Sequence, residues 1–115
     1  MQLEDFLKKL STNPESIEFE ESISTIEQNY DYTPTAFTNG NVKNDAGQNE
    51  GSCKILAFAF INNFTVTETL NCFGGYYRDD VLGKPAGDDH QNIRQFILDG
   101  FEGVKFDALP LQIKS

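Results

Sequence analysis

The stretch Ser52-Cys53-Lys54-Ile55-Leu56-Ala57-Phe58-Ala59-Phe60-Ile61-Asn62 decides the fold. From Ile55 to Ile61 every residue is apolar, and a helix drawn through them is apolar nearly all round. Such a helix is buried on most sides. The run is too short to cross a bilayer, which takes about 20 apolar residues. It is therefore expected to be the central helix of a water-soluble core, capped by Ser52 and running from Cys53 to about Asn62.

Amphipathic segments flank it. Leu3, Phe6, Leu7 and Leu10 follow the spacing i, i+3, i+4, i+7, and Phe19, Ile23, Ile26 and Tyr30 repeat at 4, 3 and 4. Both patterns predict helices with one buried face. Asn13 and Pro14 form a cap-and-start signal for the second, which is expected to end near Asn29. The β-formers from Tyr32 to Thr38 precede the turn signal Asn39-Gly40 and predict one short strand. Residues 41–51 are polar and rich in Gly and Asn, so they are expected to form a long loop, a frequent place for function.

On the other side, Thr65 and Glu68 match a capping box. Val66, Leu70, Phe73, Tyr77 and Val81 then mark one face of a helix closed by Gly83 and Pro85. Gly74-Gly75 inside it predicts a kink or a close backbone approach, because each Gly costs about 1 kcal/mol relative to Ala in a helix. Asp88 or Asp89 is expected to cap a further helix with Ile93, Phe96 and Ile97, ending at Gly100. Val104/Phe106 and Leu109/Leu111/Ile113 alternate at period two and predict terminal strands. The sum is an α+β single domain over residues 1–115: mostly helical, about five helices, with a small sheet of two or three short strands.

Composition narrows the partners. The 115 residues include 18 Asp and Glu against nine Lys and Arg, a formal charge of −9. Nucleic acid needs clustered basic residues, and here they are scattered, so nucleic-acid binding is not expected. Anionic membrane surfaces are disfavoured on the same ground. Two cysteines do not make a disulfide scaffold. The start Met1-Gln2-Leu3-Glu4-Asp5 has no basic-then-apolar leader, so a cytoplasmic protein is expected.

Four ordered blocks carry a resemblance: Thr33 to Gly40, Ala46 to Lys54, Cys72 to Val81 and Asp89 to Arg94. Together they resemble the HopJ type III effector family, over nearly the whole chain. The resemblance implies a bacterial protein and, from the family's name, possible export through a type III system. It implies no activity, cofactor or catalytic residue. Type III signals are disordered and Ser-rich, whereas residues 1–30 here read as two helices.

Three constellations bear on chemistry. Gln48, Gly51-Ser52-Cys53 and Ala57-Phe58 resemble the papain-type pattern around a catalytic cysteine. A Cys at a helix start feels the positive end of the helix dipole. Gln48 would then supply an oxyanion donor, His90 the base, and Asp89 or Asn92 its orienting group. Against this, the Gln-to-Cys spacing is one residue short, Lys54 stands where a Trp follows the cysteine, and such signatures transfer poorly between families. The competing reading makes Cys53 a small core residue. The second constellation, Tyr76, Arg78, Asp89, His90, Gln91 and Arg94, suits a ligand-binding surface or, in the bland reading, a structural polar network. The third is metal binding. No Cys-x-x-Cys or His-x-x-x-His spacing exists, so neither a metal nor a cofactor is expected. The expected function is a binding or interaction domain for a protein partner or small ligand, with a Cys53–His90 hydrolase or transferase as the alternative.

Overall fold

The computed structural model describes residues 2–114. Among them, five α-helices and five short strands follow in order: α1 Leu3–Thr12, α2 Phe19–Asn29, β1 Tyr30–Tyr32, β2 Phe37–Asn39, β3 Val42–Asn44, α3 Glu50–Asn62, α4 Val66–Asn71, α5 Gln91–Asp99, β4 Val104–Phe106 and β5 Leu111–Ile113. A 3₁₀ turn at Pro14–Ser16, a π-helical segment at Tyr76–Val81 and a second 3₁₀ turn at Gly100–Gly103 complete it. The α+β, mostly helical class read from the sequence holds. The strands form two antiparallel sheets rather than one, ordered β1-β5 and β3-β2-β4.

α3 is the centre. Cys53 and Ile55 to Ala59 are at most 1% exposed. Phe58 packs against the rings of Phe6, Tyr30 and Phe64, with centroids 5.2–5.7 Å apart. Such aromatic pairs contribute about 0.5–1.5 kcal/mol each beyond area burial. Phe6 and Leu10 of α1 and Ile26 of α2 belong to the same buried cluster, as do Leu70 of α4 and Phe96 of α5. The first two helices are therefore built into the core. Among the described residues no helix is long and apolar enough to cross a membrane.

Several local expectations need correction. The single strand over Tyr32 to Thr38 is two strands in different sheets. Pro34 has no N–H to donate to a ladder, and residues 33–36 lie in no strand. Tyr32 pairs with Leu111, while Phe37 pairs with both Asn44 and Phe106. The 41–51 loop is interrupted by β3, which makes a hairpin with β2, and α3 starts three residues early, at Glu50. Pro14 begins the 3₁₀ turn. α2 starts at Phe19 behind a capping box in which Glu18 and Glu21 each accept a backbone N–H. α5 begins after His90, with neither Asp88 nor Asp89 at its cap, and Ile97 is 43% exposed.

The helix expected from Thr65 to Val81 is broken. Thr65 and Glu68 form the capping box. α4 then ends at Asn71, because Gly74 takes φ +60°. A Cβ on Gly74 would lie 2.5 Å from the backbone nitrogen of Phe19. Both expected roles of the glycine pair thus fall on Gly74, which turns the chain and lets α2 approach. Ser22 Oγ donates to Cys72 O at 2.7 Å and fastens the same junction.

Replacing Gly74 by Ala adds left-handed backbone strain to a clash against main chain, an expected loss of about 2–5 kcal/mol. Gly47 has φ +88° with open space around it. Gly47→Ala should lose only about 1–2 kcal/mol of conformational strain. Urea unfolding of both variants measures the difference. Equal losses would mean that the α2–Gly74 approach does not constrain the fold.

Candidate functional site

Two helices begin side by side, and both begin unusually. α3 follows Asn49 at φ 50°, ψ 49°, and α5 follows His90 at φ 50°, ψ 50°. Asn and His are among the residues that tolerate this left-handed conformation. Neither cap uses its side chain to satisfy the first-turn N–H groups. Those groups carry the positive end of each helix dipole.

A buried asparagine network sets the two starts. Asn39, Asn44 and Asn92 are at most 6% exposed. Asn39 Nδ2 donates to Asn92 O at 2.8 Å and Asn92 Oδ1 at 3.2 Å. Asn44 Nδ2 donates to Asn92 Oδ1 at 3.2 Å, and Asn92 Nδ2 donates back to Asn44 Oδ1 at 3.0 Å. Asn49 Nδ2 adds a bond to Asn44 Oδ1 at 2.7 Å. The β2–β3 hairpin thereby holds the cap of α3 and the first turn of α5 together.

Between them opens a cavity of about 450 Å³. Asn49, Gly51 and Ser52 line it from the α3 start, and His90, Gln91, Asn92 and Ile93 from the α5 start. Phe19, Phe73 and Tyr76 supply aromatic walls. No Asp or Glu is among the described residues that line it, in a chain with 18 of them. A second hollow of about 270 Å³ adjoins it, sharing Phe19 and Tyr76. That one is acidic, with Glu18, Glu20, Asp79 and Asp80 around Gly75. The shared wall is an edge-on ring pair, Phe19 and Tyr76, with centroids 4.9 Å apart.

Of the residues singled out in the sequence, the cavity brings together Tyr76, His90, Gln91 and Asn92. His90 Nε2 sits 3.0 Å from Asp80 Oδ2, and its ring lies 5.1 Å from that of Tyr76. Gln91 also donates through its side chain to Asp88 O. The two arginines go elsewhere. Arg78 donates to Ile17 O, to Asn71 O and Oδ1, and to Pro14 O, tying the π-helical segment to α4 and the first 3₁₀ turn. Arg94 grips Asp89 Oδ1 at 2.5 Å and the carbonyls of Lys84, Pro85 and Asp89. Its guanidinium holds the Asp89 carboxyl below the usual carboxylate range. His90 is the cap of α5, and Arg94 lies within the helix.

Of the cysteine constellation, His90 and Asn92 line the cavity, while Gln48 and Cys53 are not among its lining residues. Gln48 Oε1 accepts from Asp45 N in an exposed turn. Cys53 is 1% exposed, and its sulfur donates to Thr35 O at 3.8 Å. Burial pushes the Cys53 thiol up to about 11, and the Cys72 thiol up to about 12. Desolvation is the leading cause at both thiols. Among the described residues no group of three or more His, Cys, Asp or Glu side chains is placed to hold a metal ion.

The family model for the HopJ type III effector protein matches residues 3–111. This chain belongs to that family. The fold also matches a solved crystal structure described as that of an unknown-function protein, VPA0580, at TM-score 0.98 and 53% identity. The match covers 99% of this chain and 95% of that one. No curated protein matches the chain. The four blocks that carry the sequence resemblance fall on the β1–β2 segment, the α3 start, the turn around Gly74 with the π-helical segment, and the α5 start. Three of the four therefore border the cavity. Phe19 was not legible as a wall, since its spacing marks it only as part of the core face of α2.

A thiol whose value rises on folding stabilises the fold fully below its unfolded value, near pH 9, and loses that contribution as pH climbs through about 11. At pH 8 the native Cys53 therefore holds about 100-fold less thiolate than an unperturbed cysteine. Alkylation by iodoacetamide, read by peptide mass spectrometry, should be correspondingly slow until urea unfolds the chain. Modification at or above the rate of free cysteine would favour the catalytic alternative.

Proposed function

We propose that this HopJ-family domain, taken as one unit over residues 1–115, binds a small ligand in the cavity between the α3 and α5 starts. One observation carries the reading. Two helix N-termini without side-chain caps converge on a cavity with no carboxylate among the described residues that line it. Helix starts of this kind favour anionic and hydrogen-bond-accepting groups. The volume falls within the range common for small-molecule sites, about 300–1,000 Å³.

The walls suggest the chemistry of the ligand. Phe19, Phe73 and Tyr76 suit a planar apolar body. The amides of the two first turns, with Asn49, Ser52 and Gln91, suit an accepting end such as a carboxylate. The acidic hollow beyond Tyr76 disfavours a second negative charge and tolerates a cationic tail. The reading is of a binder, placed in the cytoplasm. The family name supports a second reading, export through a type III system. The hydrolase alternative has less support, because the Cys53 sulfur is buried and donates to a carbonyl.

The test is a two-dimensional NMR titration with benzoate, benzylamine and benzamide as probes. Benzoate should shift the amides of Gly51, Ser52, Gln91 and Asn92 together and saturably, and benzylamine should not. Ser52→Glu puts a carboxylate at the α3 start, where it suits the helix dipole but opposes the ligand. It should keep the fold and weaken benzoate by about tenfold, or 1.4 kcal/mol. Scattered shifts, or benzoate binding unchanged by Ser52→Glu, would overturn the reading.

A further inference from the structure

We infer that His90 is a proton-operated latch between the two movable walls of the cavity. The walls are the π-helical segment, which brings Tyr76 and Asp80, and the first turn of α5. Between them the chain runs through residues 82–89, all exposed. His90 reaches back across this loop, its Nε2 meeting Asp80 Oδ2 at 3.0 Å and its ring lying on Tyr76. It is also the one side chain with a titratable base among the described residues lining the cavity.

The groups facing His90 make its charge matter. From the π-helical segment comes Asp80. From the loop comes Asp89, whose Oδ2 stands 3.9 Å away while its Oδ1 is held by Arg94. From α2 and α3 the cavity presents Phe19, Asn49, Gly51 and Ser52, none of them charged, while Glu18 and Glu20 at the α2 start and Asp79 line the adjoining hollow with Asp80. An imidazole changes charge between about pH 5 and 8. Protonated, His90 is attracted by both carboxylates and clamps Tyr76 and Asp80 to the α5 start. Neutral, it keeps at most a hydrogen bond to Asp80. Two features then favour release: the left-handed backbone at His90 and the single-turn π geometry of residues 76–81.

The latch adds positive charge to the cavity in the closed state. Its bearing on ligand affinity rests on the binding reading above. The latch itself is testable without ligand, so the two fail separately. The experiment follows ¹H–¹⁵N spectra of the wild type, His90→Asn and Asp80→Asn from about pH 5 to 8. Asn tolerates the left-handed backbone, so His90→Asn removes the proton and leaves the cap. In the wild type, amides of residues 76–81 and 91–93 should move together and in step with the His90 ring signals. The movement should vanish in His90→Asn and shrink by about half or more in Asp80→Asn, which keeps a hydrogen-bonding group but not the charge. Either of two results would overturn the proposal: segments that stay still while the His90 ring titrates, or movement that persists unchanged in the variants.

Discussion

The arrangement of this domain depends on a buried set of carboxamides. Asn39, Asn44 and Asn92 sit inside the protein, where a polar group left unpaired costs about 1–3 kcal/mol. Their mutual bonds avoid most of that cost only when β2, β3 and α5 meet in one register. Through Asn49 the same requirement reaches the start of α3. Nonpolar packing around Phe58 makes the fold stable, but it is non-directional. The carboxamides are directional, and they fix where two helix starts stand and therefore where the cavity opens.

This division explains what was legible in the sequence. α3 declared itself because an all-apolar run of that length has few other solutions. α1, α2 and the Thr65–Glu68 capping box declared themselves through local spacing. The asparagine network did not, since its bonds join positions 48 and 53 apart in sequence and an isolated Asn reads as a turn residue. The left-handed caps at Asn49 and His90 were hidden for a related reason. Asn49 reads as a loop residue ahead of the stronger cap signal Ser52, and His90 follows the stronger cap signals Asp88 and Asp89.

Local pattern also misled where a long-range constraint overrode it. The face from Val66 to Val81 keeps helical spacing, yet the helix breaks because α2 must pass against Gly74. Tyr32 to Thr38 reads as one strand, yet Pro34 divides it between two sheets. Arg78 and Arg94 read either as ligand-binding groups or as parts of a structural network, and both donate to backbone carbonyls. Neither lines the cavity, whose polar side chains among the described residues are the carboxamides of Asn49, Gln91 and Asn92, the hydroxyls of Ser52 and Tyr76, and the His90 imidazole.

The β2–β3 hairpin positions both helix starts through Asn44, a residue on neither helix. Amide hydrogen exchange in an Asn44→Ala variant tests it directly. The amides of Cys53 and Arg94, which donate to the cap carbonyls of Asn49 and His90, should lose protection together, by about tenfold or more given the unpaired carboxamides left behind. Loss confined to β3 and its immediate neighbours, with both helix starts protected as before, would mean that Asn44 does not position them.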